Sequence, residues 1–342
     1  MIVCHCGFFR RQKIKNIITI CIQGTTHFYS ICKMEKFSNW RDKATGISPF
    51  MPIPFPNSTQ NKGNTSNNKY STKFNKCIYQ LVLFFTKLPL FLTKLPFFII
   101  ASILYAITGL HIFLRFVFTF LFGFAPIRYA VDGIKSSQVE KLRSYEPQRG
   151  DLIIANYSSP LDGYIIASIA QTTNIIILVP DRDGNLFQYS PWSLIDHAVN
   201  QIQGSPVDDV SKLKNKVVVL LLEGTTSNNS ALLPFIKLNP KYTWDEFARV
   251  KSVVIKLYPS YFTLPISNCS SLYYLYQLFT DFSKKYVKIK IYQFDNTHSQ
   301  QQLDLPRIRR SFELNSLNLI NQDLSIDAKA RFIDYYITHG AK

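Results

Sequence analysis

The sequence predicts an α/β domain, a sheet covered by helices, preceded by an N-terminal membrane segment. Three observations predict it. Short apolar runs of strand length alternate with helical segments from Val131 onward, Ser-Pro pairs stand where two of those helices open, and a long, strongly apolar stretch precedes them all.

Residues 1–33 hold Arg10, Arg11, Lys13, Lys15 and Lys33 without Asp or Glu, and carry an apolar patch at 17–22. That is the composition of a transit peptide, a signal anchor or an N-terminal extension. Residues 34–76 form a polar segment, and 57–75 within it, rich in Asn, Ser, Thr and Lys, bury too little apolar surface to offset ordering and read as a linker. From 77 to 127 the chain turns apolar. No charged residue occurs from Leu95 to Leu114, about the length that crosses roughly 30 Å of hydrocarbon. Arg115 interrupts, and an aromatic run over 116–124 follows. Two geometries fit: one span near 95–114, or a hairpin of 78–100 and 101–124.

The domain over 128–342 begins its alternation with a buried strand at 151–155. Ser159 then reads as an N-cap with Pro160 at the first helical position of a helix over 160–170, which puts Asp162 at N3. A strand at 174–179 follows, and Ser190-Pro191 opens a helix to 202. Further strands are expected at 216–222, 252–258, 261–266 and 287–292, and an amphipathic helix at 325–339 closes the chain.

A net charge of +17 calls for an anionic partner, either nucleic acid or a negatively charged membrane. With 46% hydrophobic and 14% aromatic residues, scattered Lys and Arg, and neither an RNA-recognition signature nor zinc-ligand spacing, the chain favours the membrane over nucleic acid. No metal site is expected. The six cysteines (4, 6, 21, 32, 77 and 269) crowd the N-terminus, which suits a reducing, cytosol-facing protein better than a disulfide framework.

Four fragments carry the chemistry: Asn156-Tyr-Ser-Ser-Pro-Leu-Asp162, Glu223-Gly224-Thr225, Leu233-Pro-Phe235 and Leu264-Pro265-Ile266. In that order, behind a membrane-length segment, they resemble the signature of the glycerolipid acyltransferases of the lysophosphatidic acid type. The resemblance implies a glycerolipid-acyltransferase-like sheet that esterifies lysophosphatidic acid, or a related lysolipid, to phosphatidic acid, with acyl-CoA as substrate and no cofactor. It also implies the endoplasmic reticulum membrane or the lipid-droplet surface, catalytic domain toward the cytosol, the droplet requiring the hairpin. By the same resemblance Asp162 and Tyr157 are the catalytic candidates, and Glu223, Gly224, Thr225, Lys237 and Pro265 bind substrate.

The family pattern is His-x4-Asp, and Tyr157 stands at its His, the general base. Thr226 and Asp209 stand where the family has arginines, and Lys237 lies one place beyond the family's lysine. An alternative therefore stands: a catalytically degenerate fold retained for lipid binding or membrane trafficking. His197, mid-helix, and His111, in the apolar segment, read as packed residues, Asp162 as a helix cap and Gly224 as a turn glycine in the structural alternative. General-base help is worth about 10²- to 10⁴-fold, whereas orienting two bound reactants supplies roughly 7–11 kcal/mol, so slow acyl transfer without the family histidine is physically feasible.

The text from Met34 resembles the start of a fungal member of this family, which the preceding 33 residues do not. Deleting residues 1–33 is expected to leave membrane localisation and activity unchanged in cells. Loss of targeting would restore the transit-peptide reading.

Overall fold

The computed structural model describes residues 34–53, 69–266, 270–294, 303–315 and 317–339. The expected extension at 1–33, most of the 57–75 linker and the cysteines at 4, 6, 21, 32 and 269 lie outside them.

Strands β1 (Arg128–Val131), β2 (Asp151–Ala155), β3 (Ile175–Pro180), β4 (Leu186–Tyr189), β5 (Ser205–Val207), β6 (Val217–Leu220), β8 (Arg249–Tyr258) and β9 (Tyr286–Phe294) form one sheet in the order β1-β9-β8-β2-β6-β3-β4-β5. The pair β7 (Ala231–Leu232) and β10 (Asn318–Leu319) stands apart. The centre β8-β2-β6-β3 is parallel, with Leu152 opposite Val218 and Val218 opposite Ile176. Every residue of β2 and β6 is buried, because both faces are covered. Alternation along β2 sends Ile153 to one core with Ile177 and Val219, and Leu152 and Ile154 to a second with Leu220, Phe247 and Phe312.

Two expectations are corrected, and three strands escape the sequence pattern. The short strands β1, β4 and β5, of which β1 and β5 form the sheet edges, carry too little apolar signal to be read. The stretch 261–266 is no strand: a 3-10 turn over Ser260–Phe262 leads into extended chain beyond β8. Residues 69–75, expected in the linker, already belong to helix α1 (Lys69–Thr108).

Helix α1 ends at Gly109, whose φ of +70 degrees or so favours glycine, and α2 (His111–Leu121) follows. The charge-free run is therefore divided at Gly109 rather than bounded by Arg115, and the turn falls there rather than at 100–101. Lys94 Nζ donates to the Leu121 carbonyl at 3.1 Å and the Phe98 and Phe122 rings lie 5.8 Å apart, so α2 runs back along α1. Phe85–Thr108, 24 residues with a mean hydropathy of 2.0, is long enough to cross a bilayer. Phe98, Ala101 and Tyr105 face the domain, while Phe97, Ile100, Ile103 and Ile107 are exposed.

Residues 34–53 pack rather than link. Phe37, Trp40 and Phe50 set their rings 5.8, 5.5 and 5.7 Å from that of Phe332 on the last helix, α8 (Ile326–His339). The remaining helices are α3 (Val139–Ser144), α4 (Asp162–Ile169), α5 (Ser193–Asn200), α6 (Ser271–Thr280) and α7 (Leu305–Glu313).

The exposed face of α1 predicts a membrane contact. The pair Ile103→Lys and Ile107→Lys, costing about 2.5–3.5 kcal/mol each near a bilayer centre, is expected to move the chain into the soluble fraction on carbonate wash without lowering its melting temperature in detergent. Unchanged pelleting would mean that this face does not meet lipid.

Candidate functional site

The site forms where the parallel strands end. Beyond β2, the Asn156 amide donates to the Ile255 carbonyl at 2.9 Å and accepts from the Ile255 amide at 2.7 Å, tying the turn to β8. Glu223, beyond β6, accepts from the Tyr157 amide at 2.7 Å through Oε1 and from the Leu233 amide at 2.9 Å through Oε2. One carboxyl group thus joins the two turns. Burial pushes it up to about 8, against the lowering effect of the Leu233 and Tyr157 amides.

Asp162 closes the first turn. Its Oδ2 accepts from the Ser158 and Ser159 amides at 2.7 and 2.9 Å, while the Ser159 hydroxyl accepts from the Leu161 amide at 3.1 Å. The expected cap is corrected here. The turn over 159–162 is closed by the Asp162 amide on the Ser159 carbonyl, so Asp162 is the first residue of α4 rather than N3. Its carboxyl reaches back to the turn, Oδ1 is buried with no hydrogen-bond partner among the described residues, and burial pushes the group up to about 7.

Gly224 has φ +64, and a Cβ there would meet Ile236 Cδ1 at 2.4 Å and the Pro180 carbonyl at 2.8 Å, so only glycine fits. Thr225 and Thr226 follow. Thr226 donates to the Leu264 carbonyl, and Leu264 donates to the Ser158 carbonyl at 3.2 Å, so the segment carrying Pro265 backs both turns.

Tyr157 is fully buried, and its hydroxyl lies 3.0 Å from His197 Nδ1 on α5. The His197 ring also packs on Tyr189, centroids 4.7 Å apart. Burial, then the charge of Lys329, lower His197 to about 4, so the imidazole is neutral near pH 7. The direction of this hydrogen bond follows the imidazole tautomer: in the Nδ1–H tautomer the phenol oxygen accepts and Nε2 presents a lone pair, and among the described residues Nε2 makes no hydrogen bond. His197 is thus more than a packed residue. His111 keeps that reading: its ring lies 6.2 Å from Tyr105, away from this cluster.

Around the pair opens a cavity of about 490 Å³, whose wall includes Tyr157, Tyr189, His197, Gly224, Thr225, Thr226, Arg182 and Lys329. Asp162, Glu223 and Pro265 lie behind that wall and position it. Lys237 is exposed and outside it. Lys329, on α8, carries no sequence signal beyond being one lysine of an amphipathic helix. Its buried Nζ donates to the Thr226 carbonyl at 2.6 Å and to Thr226 Oγ1 at 3.0 Å, and burial lowers it to about 7 against the pull of Glu223. Among the described residues no cluster of His, Cys, Asp and Glu could hold a metal.

No protein-family model matches the chain. The lysophosphatidic acid:oleoyl-CoA acyltransferase 1 of Saccharomyces cerevisiae is 27% identical to it over 329 residues, covering 90% of this chain and 99% of the yeast protein. The chain is thus similar to a lysophosphatidic acid acyltransferase along nearly its whole length. The crystal structure of the 1-acyl-sn-glycerophosphate acyltransferase PlsC from Thermotoga maritima aligns at 16% identity and a TM-score of 0.33, over 68% of this chain and 96% of that one. In this chain the first turn carries a phenol where the signature it resembles has imidazole, and an imidazole from α5 lies against that phenol.

Asp162 carries a pH prediction. Because its folded pKa of about 7 lies above the ordinary carboxyl value, the folded chain holds a proton that the unfolded chain releases, and stability falls as pH rises through that interval. Asp162→Asn removes the ionisation. Denaturant unfolding is expected to show the parent losing stability relative to this variant, by up to about 4 kcal/mol, between about pH 4 and pH 7, and no further change above. A pH-independent difference would contradict the buried carboxyl described here.

Proposed function

We propose that this chain is an acyl-CoA-dependent acyltransferase that esterifies lysophosphatidic acid, or a related lysolipid, to phosphatidic acid in glycerolipid synthesis. The observation that carries the reading is the neutral His197 imidazole, held at Nδ1 by the Tyr157 hydroxyl in the wall of the cavity. The acceptor hydroxyl gives its proton to Nε2 while its oxygen attacks the thioester carbonyl carbon. The tetrahedral adduct collapses, the C–S bond breaks, and the departing sulfur takes the proton back from the imidazolium. Tyr157 orients the base, and Asp162 and Glu223 fix the backbone that carries Tyr157. Acyl-CoA is a substrate, and no cofactor enters.

The protein works at the endoplasmic reticulum membrane or on lipid droplets, its domain toward the cytosol. The fold-back at Gly109 supports the droplet surface, since paired helices that enter and leave on one side suit a monolayer. A second reading, a lipid-binding or trafficking protein without turnover, is favoured by one observation: Asp162 Oδ1 has no hydrogen-bond partner, imidazole included, among the described residues.

Purified full-length protein in detergent, given labelled acyl-CoA and a panel of lysolipids, tests the proposal. Transfer to lysophosphatidic acid is expected, and His197→Gln should lower kcat by about 10²- to 10⁴-fold with little change in KM. Lysolipid binding without transfer to any member of the panel would leave the second reading.

A further inference from the structure

Three strands carry a row of cations across one edge of the sheet. Arg128 on β1 stands opposite Lys288 on β9, which in turn stands opposite Lys256 on β8. Residues so paired share a face, and like charges placed directly opposite one another destabilise a sheet. Lys290, opposite Val254, extends the row along β9 on the same face. Arg128, Lys288 and Lys290 make no ion pair among the described residues. Burial, then the charge of Lys288, lowers Lys256 below the ordinary lysine range.

The row stands where the cover of this face stops. Ile308 and Phe312 of α7 share a core with Leu152, Val250 and Val254, and beyond that core the face opens. Lys256 and Tyr258 are half-buried there, and Arg128, Tyr286, Lys288 and Lys290 are exposed. The Tyr258 and Tyr286 rings stack at 4.8 Å, and the Lys288 ammonium lies 5.4 and 5.8 Å from their centres. The same edge adjoins the apolar helix pair. Arg128 follows soon after α2 ends at Leu121, and at the amino end of β9 Lys285 Nζ donates to the Phe122 carbonyl at 2.9 Å. Phe120 on α2 and Phe282 just before β9 are exposed. A cationic face beside exposed apolar side chains suits a surface that meets lipid headgroups next to its apolar contact.

We propose that the β1-β9-β8 face docks on an anionic lipid surface through Arg128, Lys256, Lys288 and Lys290, and so makes the protein select anionic over neutral membranes. The exposed apolar face of α1 cannot supply that choice, because contact with hydrocarbon is indifferent to headgroup charge. Anionic headgroups set among the cations offset the repulsion along the row. The claim concerns a surface far from the cavity wall and does not depend on turnover, so it stands or falls apart from the acyltransferase reading.

Competition between two vesicle populations tests the surface. Full-length protein, purified in detergent and diluted at low salt into equal amounts of phosphatidylcholine vesicles and of vesicles that also hold phosphatidylserine, is measured on each population. The parent is expected to favour the anionic vesicles. The double variant Arg128→Gln with Lys288→Gln should lower that preference at least about tenfold, since each basic residue at such a surface is worth about fivefold. Its binding to phosphatidylcholine alone should not change. Lys212→Gln with Lys216→Gln removes the same charge before the amino end of β6 and should keep the preference. A preference equal in the parent and the first variant, or lost equally in both variants, would overturn the proposal. Binding of a single-stranded oligonucleotide that depends on Arg128 and Lys288, without a choice between vesicles, would also overturn it, because basic and aromatic faces hold nucleic acid as well. Should the first variant fail to fold, the parent decides: its preference must vanish near about 1 M salt, where screening reaches roughly 3 Å, and a preference that is absent at low salt or persists at high salt would overturn the assignment.

Discussion

The carboxyl group of Glu223, bridging the Tyr157 and Leu233 amides, is the constraint on which the site depends. It stands fully inside the protein, where a charge is costly, and burial holds it up to about 8. What offsets that cost is a pair of hydrogen bonds across two loops that are 66 and 10 residues away from it in sequence. With the Tyr157 amide fixed, the phenol is directed at His197. With the Leu233 amide fixed, the chain from Gly224 to Ser230 closes into a compact loop.

That loop is where residues 34–53 and the last helix converge. Asn228 donates to the Ser48 and Met51 carbonyls at 2.8 and 3.2 Å, and Lys329 reaches Thr226 from α8. The N-terminal segment and the last helix, packed together through Phe37, Trp40 and Phe332, therefore support the wall from outside the sheet. Placement at the carboxyl ends of β2, β3 and β6 follows from parallel strands, whose outgoing loops all leave on one side.

The apolar runs that became β2, β3 and β6 were legible because a strand covered on both faces needs uninterrupted apolar residues. The β2 turn and the Glu223 turn were legible as motifs, but not their geometry. The Ser-Pro pair suggested a cap, whereas the Asp162 carboxyl turned back on Ser158 and Ser159, a choice that depends on burial rather than local sequence. His197 and Lys329 were hidden for a related reason. Each is one polar residue on an amphipathic helix, and only the packing of α5 and α8 against the strand ends brings them to Tyr157 and Thr226. Lys237, in contrast, had the neighbours expected of a ligand and lies outside the cavity.

In the proposed acyl transfer Tyr157 and His197 act as one unit, because the phenol and the imidazole share a single 3.0 Å contact. A double-mutant cycle on kcat with Tyr157→Phe and His197→Gln measures this most directly. Strong coupling is expected, with the double variant no slower than His197→Gln alone, since the phenol contributes only through the imidazole. Effects that multiply across the two substitutions would contradict it.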